Sequence, residues 1–230
     1  MGEGAENSAG AKIRVRLWDA PTRLVHWSLA ALVGVSWWTH EIGRMDWHRW
    51  SGYTILGLVV FRLFWGFFGG STARFAAFVK GPRAVAAYAR NILGPTAAAL
   101  PGHNPLGGWS VVAMLLALVG QVVLGLFAVD VDGIESGPFS QYVSFDLGRR
   151  FAEWHEASFN ILLALIGLHL LAVVFYLVVK RENLIGAMVT GRRLLATEPK
   201  EIRFAPPARV LVGIAIAAAV AWIVMKGGRL

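Results

Sequence analysis

Five apolar runs punctuate the chain, at about residues 24–40, 50–69, 106–129, 155–179 and 208–225. Each approaches or exceeds the roughly 18–20 apolar residues that carry an α-helix across a bilayer. The first run is short, and Arg23 and the polar stretch THEIGR can snorkel at its two ends. The last, ARVLVGIAIAAAVAWIVMKGG, is rich in small residues and reads as a packing or anchoring helix. The pattern predicts an all-α membrane protein. Ahead of residue 24 there is no apolar core, so MGEGAENSAGAKIRVRLW reads as a short disordered tail and not as a cleavable signal peptide.

Composition sharpens this picture. Of 230 residues, 56% are hydrophobic and only 16% charged, a balance that soluble domains of this size rarely show. There is no cysteine, which excludes disulfides, thiolate metal sites, iron–sulfur clusters and covalently attached haem. The net charge of +8 does not point to nucleic acid. Lys and Arg gather in three stretches: 12–23, 70–105 and 180–209. Five spans would place these three on one face with fifteen basic residues, against six on the other. The positive-inside rule then puts the N-terminus in the cytoplasm and the C-terminus outside. The outer loop at 129–153 carries Asp130, Asp132, Glu135, Asp146 and Glu153 and is the most acidic surface. The inner stretch STARFAAFVKGPRAVAAYARNILG interleaves basic and aromatic residues, as a helix lying on the membrane surface would.

Histidines inside apolar runs are costly and mark function. His155 and His169 are fourteen residues apart, which on a helix is about 21 Å of rise and a rotation about 40° short of four full turns. The two rings therefore face one way at opposite depths. That spacing suits two stacked cofactors and is too long for one metal ion. His26 begins the first span on the inner side, and His48 begins the second on the outer side. Depth thus pairs His26 with His169 and His48 with His155. Two bis-histidine sites at opposite faces are what two non-covalent b-type haems require, six-coordinate and suited to electron transfer. Arg62, fourteen residues after His48, falls on the same helix face at inner depth, where a haem propionate would neutralise it. His40 lies outside the pairing and reads as interfacial. His103, in LPGHNPLGG, is a candidate for proton handling or for a quinone. Gly34, Gly52, Gly57, Gly120, Gly125 and Gly167 would give room to a flat macrocycle or to close helix packing. Most of the ten tryptophans sit near span ends as an aromatic belt.

The segments LWDAPTRLVHW, WHRWSGYTILGLVVFRLFWGF and WHEASFNILLALIGLHLLAVVFYLVVKRENLIGAMVTG resemble the bacterial cytochrome b561 and Ni,Fe-hydrogenase b-type cytochrome family. The likeness covers about residues 14–192. It implies a four-helix transmembrane bundle with two haem b groups, whose ligand positions fall on His26, His48, His155 and His169. The tail at 1–13 and the linker with a fifth transmembrane helix at 193–230 lie outside that domain. The resemblance also implies a bacterial inner-membrane protein that moves electrons between the quinone pool and a partner. That partner would be a periplasmic cytochrome c, or a hydrogenase-like enzyme for which the chain is the anchor subunit. A proton or metal transporter is the competing reading, but the interiors of the first three spans carry no carboxylate. The His155–Glu156 pair does not make a metalloprotease, because that motif needs histidine where Phe159 stands. Glu156 reads as a water-facing residue, since adjacent helical residues do not face each other.

Overall fold

The computed structural model describes residues 13–94, 102–195, 199 and 202–228. The tail expected at 1–13 therefore lies outside the described residues except for Ile13, as does the part of the basic loop at 95–101. Among the described residues a short strand, β1 (Ile13–Arg16), leads into α1 (Ala20–Glu41) and α2 (Met45–Phe68). Two short helices follow, α3 (Phe75–Phe78) and α4 (Pro82–Arg90), then the long helices α5 (Pro105–Phe127) and α6 (Phe145–Val178). The chain closes with α7 (Leu184–Thr190), β2 (Arg192–Leu195) and α8 (Pro207–Met225).

Among the described residues four helices are long and apolar enough to cross a membrane: α2, α5, α6 and α8. The first predicted span does form a helix of 22 residues, α1. Its apolar character is diluted by His26, His40, two serines and Trp27, Trp37 and Trp38, so by length and composition it does not stand with the other four. At 34 residues α6 is the longest helix, beginning ten residues before the predicted edge at 155. His155 is thus held well inside a helix and not at its end.

Local chemistry fixes the helix starts. Asp19 caps α1 by accepting the Thr22 amide at 2.8 Å, with Pro21 in the first turn. Asn104 caps α5 through the Gly107 amide at 2.7 Å, ahead of Pro105. Ser144 caps α6 through the Leu147 amide. These short polar side chains satisfy backbone donors that the helix leaves free.

The central element is α2, which packs on α1 and on α8 and touches α5, while α5 packs on α6. The core joins Val25 and Leu29 of α1, Ile55, Val59, Phe61 and Trp65 of α2, Leu118 of α5, Leu162 of α6 and Ala217 of α8. The fifth long helix is therefore part of the bundle. A Cβ at Gly213 would come within 2.8 Å of the Phe64 ring and 3.0 Å of Phe61, and Gly57 faces Ala217 and Ala221. At these positions glycine permits close helix packing, the second of its two expected uses.

The three basic stretches meet at one end, as their alternation predicted. β1 pairs antiparallel with β2, so the segment before α1 and the one after α7 form a two-stranded ribbon. Arg23 donates to the Val189 carbonyl, Thr72 to the Leu17 carbonyl at 2.6 Å and Lys180 to the Gly94 carbonyl at 3.0 Å. Arg209 at the start of α8 donates to the Phe68 carbonyl at 3.1 Å. At the opposite end Arg49 pairs with Glu135, and Tyr142 donates to the Gly227 carbonyl at 2.8 Å. The predicted surface helix within the basic loop forms as α4, nine residues long, with Val85 and Tyr88 half-buried on one side. Tyr88 hydrogen-bonds Tyr176 of α6 at 2.6 Å.

Candidate functional site

The histidines fall into the two pairs that depth assigned. Across α1 and α6, the His26 and His169 ring centres are 6.3 Å apart with their planes at 54°. Across α2 and α6, His48 and His155 are 6.1 Å apart with planes at 84°. Neither pair is bridged by a direct hydrogen bond. An imidazole nitrogen sits about 2 Å from a first-row metal ion. One ion between two facing rings, with the ring radii added, gives centres separated by about this much. Both separations would admit one metal ion between the rings, and haem iron is a metal that takes two histidines. Among the described residues no group of three or more His, Cys, Asp or Glu side chains is placed to hold a metal ion.

The pair His48–His155 is held by its neighbours. The His48 Nδ1–H donates to the Ser36 carbonyl of α1 at 2.8 Å, and the His155 Nδ1–H donates to the Gln121 carbonyl of α5 at 2.8 Å. Each bond fixes the tautomer and leaves the lone pair on Nε2, the atom a metal would take. In this structure the Gln121 side-chain amide donates to the His155 Nε2 at 3.2 Å, a bond that a metal at that atom would displace, and the Gln121 side-chain oxygen accepts from the Ser158 hydroxyl. Gly125 makes the ring's place possible: a Cβ there would stand 2.9 Å from His155 Cε1. Ser36 and Gln121 were not foreseen, because a backbone carbonyl acceptor leaves no mark in a sequence. Glu156 is exposed, as a water-facing residue should be, and the residue that positions His155 is Gln121. His40, also exposed, lies 5.8 Å from the His48 ring.

The pair His26–His169 is different. Neither ring has a hydrogen-bond partner, and the His26 Nδ1 is buried without one. Trp27 meets His26 edge-on at 4.9 Å. Arg62 is 7% exposed and its Nη1 has no acceptor; the Phe75 ring lies 5.3 Å from the guanidinium, and the buried Asp19 carboxylate is the opposite charge acting on it. The unused Nη1 donor would fit a carboxylate at a haem edge. His103 is packed between Trp18 at 4.7 Å and Phe78 at 4.8 Å, and its Nδ1 also lacks a partner. Burial pushes its pKa down to about 3, with the positive Arg62 adding to the effect. The ring is therefore a neutral member of the end packing at working pH. Asp19, beside this cluster, accepts from the Trp65 indole at 3.0 Å and so ties α1 to α2.

Of the six glycines singled out, Gly57 and Gly125 have packing roles, and a Cβ at Gly34, Gly52, Gly120 or Gly167 would meet nothing within 4 Å. Trp37, Trp38, Trp47, Trp50, Trp109 and Trp154 are exposed, as a belt requires.

A helical membrane bundle that carries histidine in facing pairs defines a b-type membrane cytochrome, an electron-transfer protein. The chain belongs to the prokaryotic cytochrome b561 family, whose model matches residues 17–191. No curated protein and no solved structure matches it.

Proposed function

We propose that the chain holds two haem b groups, one between His26 and His169 and one between His48 and His155, and passes electrons between the quinone pool and a redox partner. The observation that carries this reading is the pair of facing imidazoles at 6.3 and 6.1 Å, reached from three helices at two depths of the bundle. Haem b supplies one-electron chemistry at iron. The residues do the rest. Ser36 and Gln121 orient the rings of the second pair, Arg62 neutralises a carboxylate at the first, and the bundle core excludes water between them. The fourteen-residue register along α6 sets the two sites about 21 Å apart along the helix.

The basic end, with Arg62, His103 and the ribbon, faces the cytoplasm of a bacterial inner membrane and admits quinone. Asp132, Asp146, Glu153 and Glu156 stand exposed at the acidic end. They suit a basic partner such as a periplasmic cytochrome c.

Purified protein should show a b-type α band on reduction and two haems per chain. His26→Ala and His169→Ala should each remove one haem, and His48→Ala and His155→Ala the other. One haem per chain, or a band indifferent to all four substitutions, overturns the assignment. Reduction by a quinol in vesicles tests the quinone separately. Asp132→Lys with Asp146→Lys should slow electron exchange with a basic cytochrome c and leave quinol reduction intact.

A further inference from the structure

The ribbon at the basic end has a feature that the electron-transfer reading does not use. Its register sets Arg14 opposite Leu194, and Arg16 opposite Arg192. Because strand side chains alternate, Arg14, Arg16, Arg192 and Leu194 share one face. All four are exposed, Leu194 at 56%. The other face carries Val15, Leu195 and Arg193. Val15 and Leu195 pack on Leu17, Trp18 and Ala187, and Arg193 pairs with Glu182 at 2.5 Å. The nearby acid is thus consumed on the inner face. Among the described residues no carboxylate pairs with Arg14, Arg16 or Arg192.

Arg16 and Arg192 stand directly opposite across two strands, an arrangement that is destabilising on its own. Four-residue strands with no third partner have little to offset such repulsion. An anion on this face removes the penalty. Depth argues which anion. Arg16 lies four residues before Ala20, where α1 starts, and its guanidinium sits 4.7 Å from the Phe204 ring. Phe204 is three residues before Pro207, where α8 starts. The starts of both long helices fix the ribbon at the level where a helix leaves the apolar layer. At that level exposed Leu194 and Phe204 can enter the acyl boundary, while the arginines, with their apolar stems, reach the phosphates. Arginine is also the side chain that grips phosphate with two parallel donors.

We infer that the β1–β2 ribbon is a binding platform for anionic phospholipid headgroups of the leaflet at this end. It clamps the segment before α1 to the segment before α8 when lipid is bound. The inference does not depend on the number or ligation of the haems.

The test uses the full chain in nanodiscs of phosphatidylcholine alone or with phosphatidylglycerol. Thermal unfolding and the lipids retained in native mass spectrometry are the readouts. Phosphatidylglycerol should raise the unfolding midpoint of the unaltered chain, and the rise should shrink as salt screens the arginines. Arg14→Gln/Arg16→Gln/Arg192→Gln should lose more than half of that rise and the retained anionic lipid. Arg44→Gln/Arg150→Gln at the opposite end should lose neither. Replacing the three ribbon arginines with lysine keeps the charge but not the paired donors, and should retain part of the rise. If the triple glutamine variant does not fold, Arg192→Gln alone, which relieves the cross-strand repulsion, should be more stable than the unaltered chain in phosphatidylcholine and less responsive to phosphatidylglycerol. No effect of phosphatidylglycerol on the unaltered chain overturns the inference. So does a ribbon variant with an undiminished response, or a ribbon that binds an acidic soluble protein but not the lipid.

Discussion

At the residue scale, the histidines were legible because a helix converts sequence spacing into depth and direction. Fourteen residues is a fixed length and nearly a whole number of turns, and the pairs in α1, α2 and α6 follow from it. What orients the rings was not legible. Ser36 and Gln121 act through main-chain carbonyls, and any residue supplies a carbonyl. Gly125 is informative only once His155 is seen beside it. Gly125→Ala should push the His155 ring, 2.9 Å from the new methyl, and weaken the site shared with His48 while sparing the other. On the proposed two-haem reading, haem content should fall toward one per chain, and two firmly retained haems would contradict the assigned contact. Arg62 makes a second test. Arg62 is buried without a hydrogen-bonded acceptor at Nη1 but with the Asp19 carboxylate acting on it, so in haem-free protein Arg62→Met should change stability by no more than about 1 kcal/mol. In loaded protein the same change should speed haem loss about tenfold or more, the scale of one charge-assisted bond. His103 gives a pH test. Its pKa of about 3 in the folded chain lies below the roughly 6.5 of an exposed imidazole. Between those values the unfolded chain binds the extra proton. Stability is therefore full above about pH 6.5 and is lost as pH falls toward 3. The thermal midpoint should drop between about pH 7.5 and 5, and His103→Gln should drop less.

At the scale of elements, the long helices were legible from apolar length alone, and their edges were not. α6 gained ten residues because Ser144 caps it and its first turns, though polar, continue the same helix. The ribbon was missed for a different reason. A four-residue strand carrying arginine at alternate positions looks like a solvated tail until the partner strand, some 180 residues later, is known. Nor did the sequence show that the last helix belongs to the core, because small residues serve lipid contact and helix contact alike. Its packing on α2 through Gly213 makes the consequence specific. Gly213→Leu should separate α8 from Phe61 and Phe64 and cost about 1–3 kcal/mol as an overpacked contact. Asp19 joins two elements at once, capping α1 and accepting from Trp65 of α2. Asp19→Ala should therefore cost more than a simple cap, about 2 kcal/mol or above. Trp65→Phe should cost about 3 kcal/mol or more, because it removes the indole bond and leaves a cavity where a fully buried ring stood. Unfolding midpoints in detergent check both, and an Asp19→Ala variant as stable as the unaltered chain would mean that neither the cap nor the indole bond contributes.

At the scale of the molecule, α2 is packed on three neighbours, while α1 and α6 have little direct packing and approach each other at the His26 and His169 rings. The two ends of the bundle consequently offer unlike surroundings to the same ligand type. At one end His48 and His155 donate Nδ1–H to carbonyls, which raises the basicity of the opposite nitrogen and would favour oxidised iron in a haem held there. At the other end neither ring of His26 and His169 has an acceptor, and the cationic Arg62 acts on the neighbouring His103, which would favour reduced iron. On the proposed ligation, a spectroscopic redox titration should resolve two steps, the lower belonging to the His48–His155 site. The assignment is checked by substitution. Arg62→Gln should lower the upper step and leave the lower one in place, because the charge is removed at one end only. Gly125→Ala should alter the lower step first, because it disturbs the ring that the Gln121 carbonyl holds. Two coincident steps, or an Arg62→Gln variant in which the lower step alone moves, would show that the asymmetry of the ends does not set the potentials.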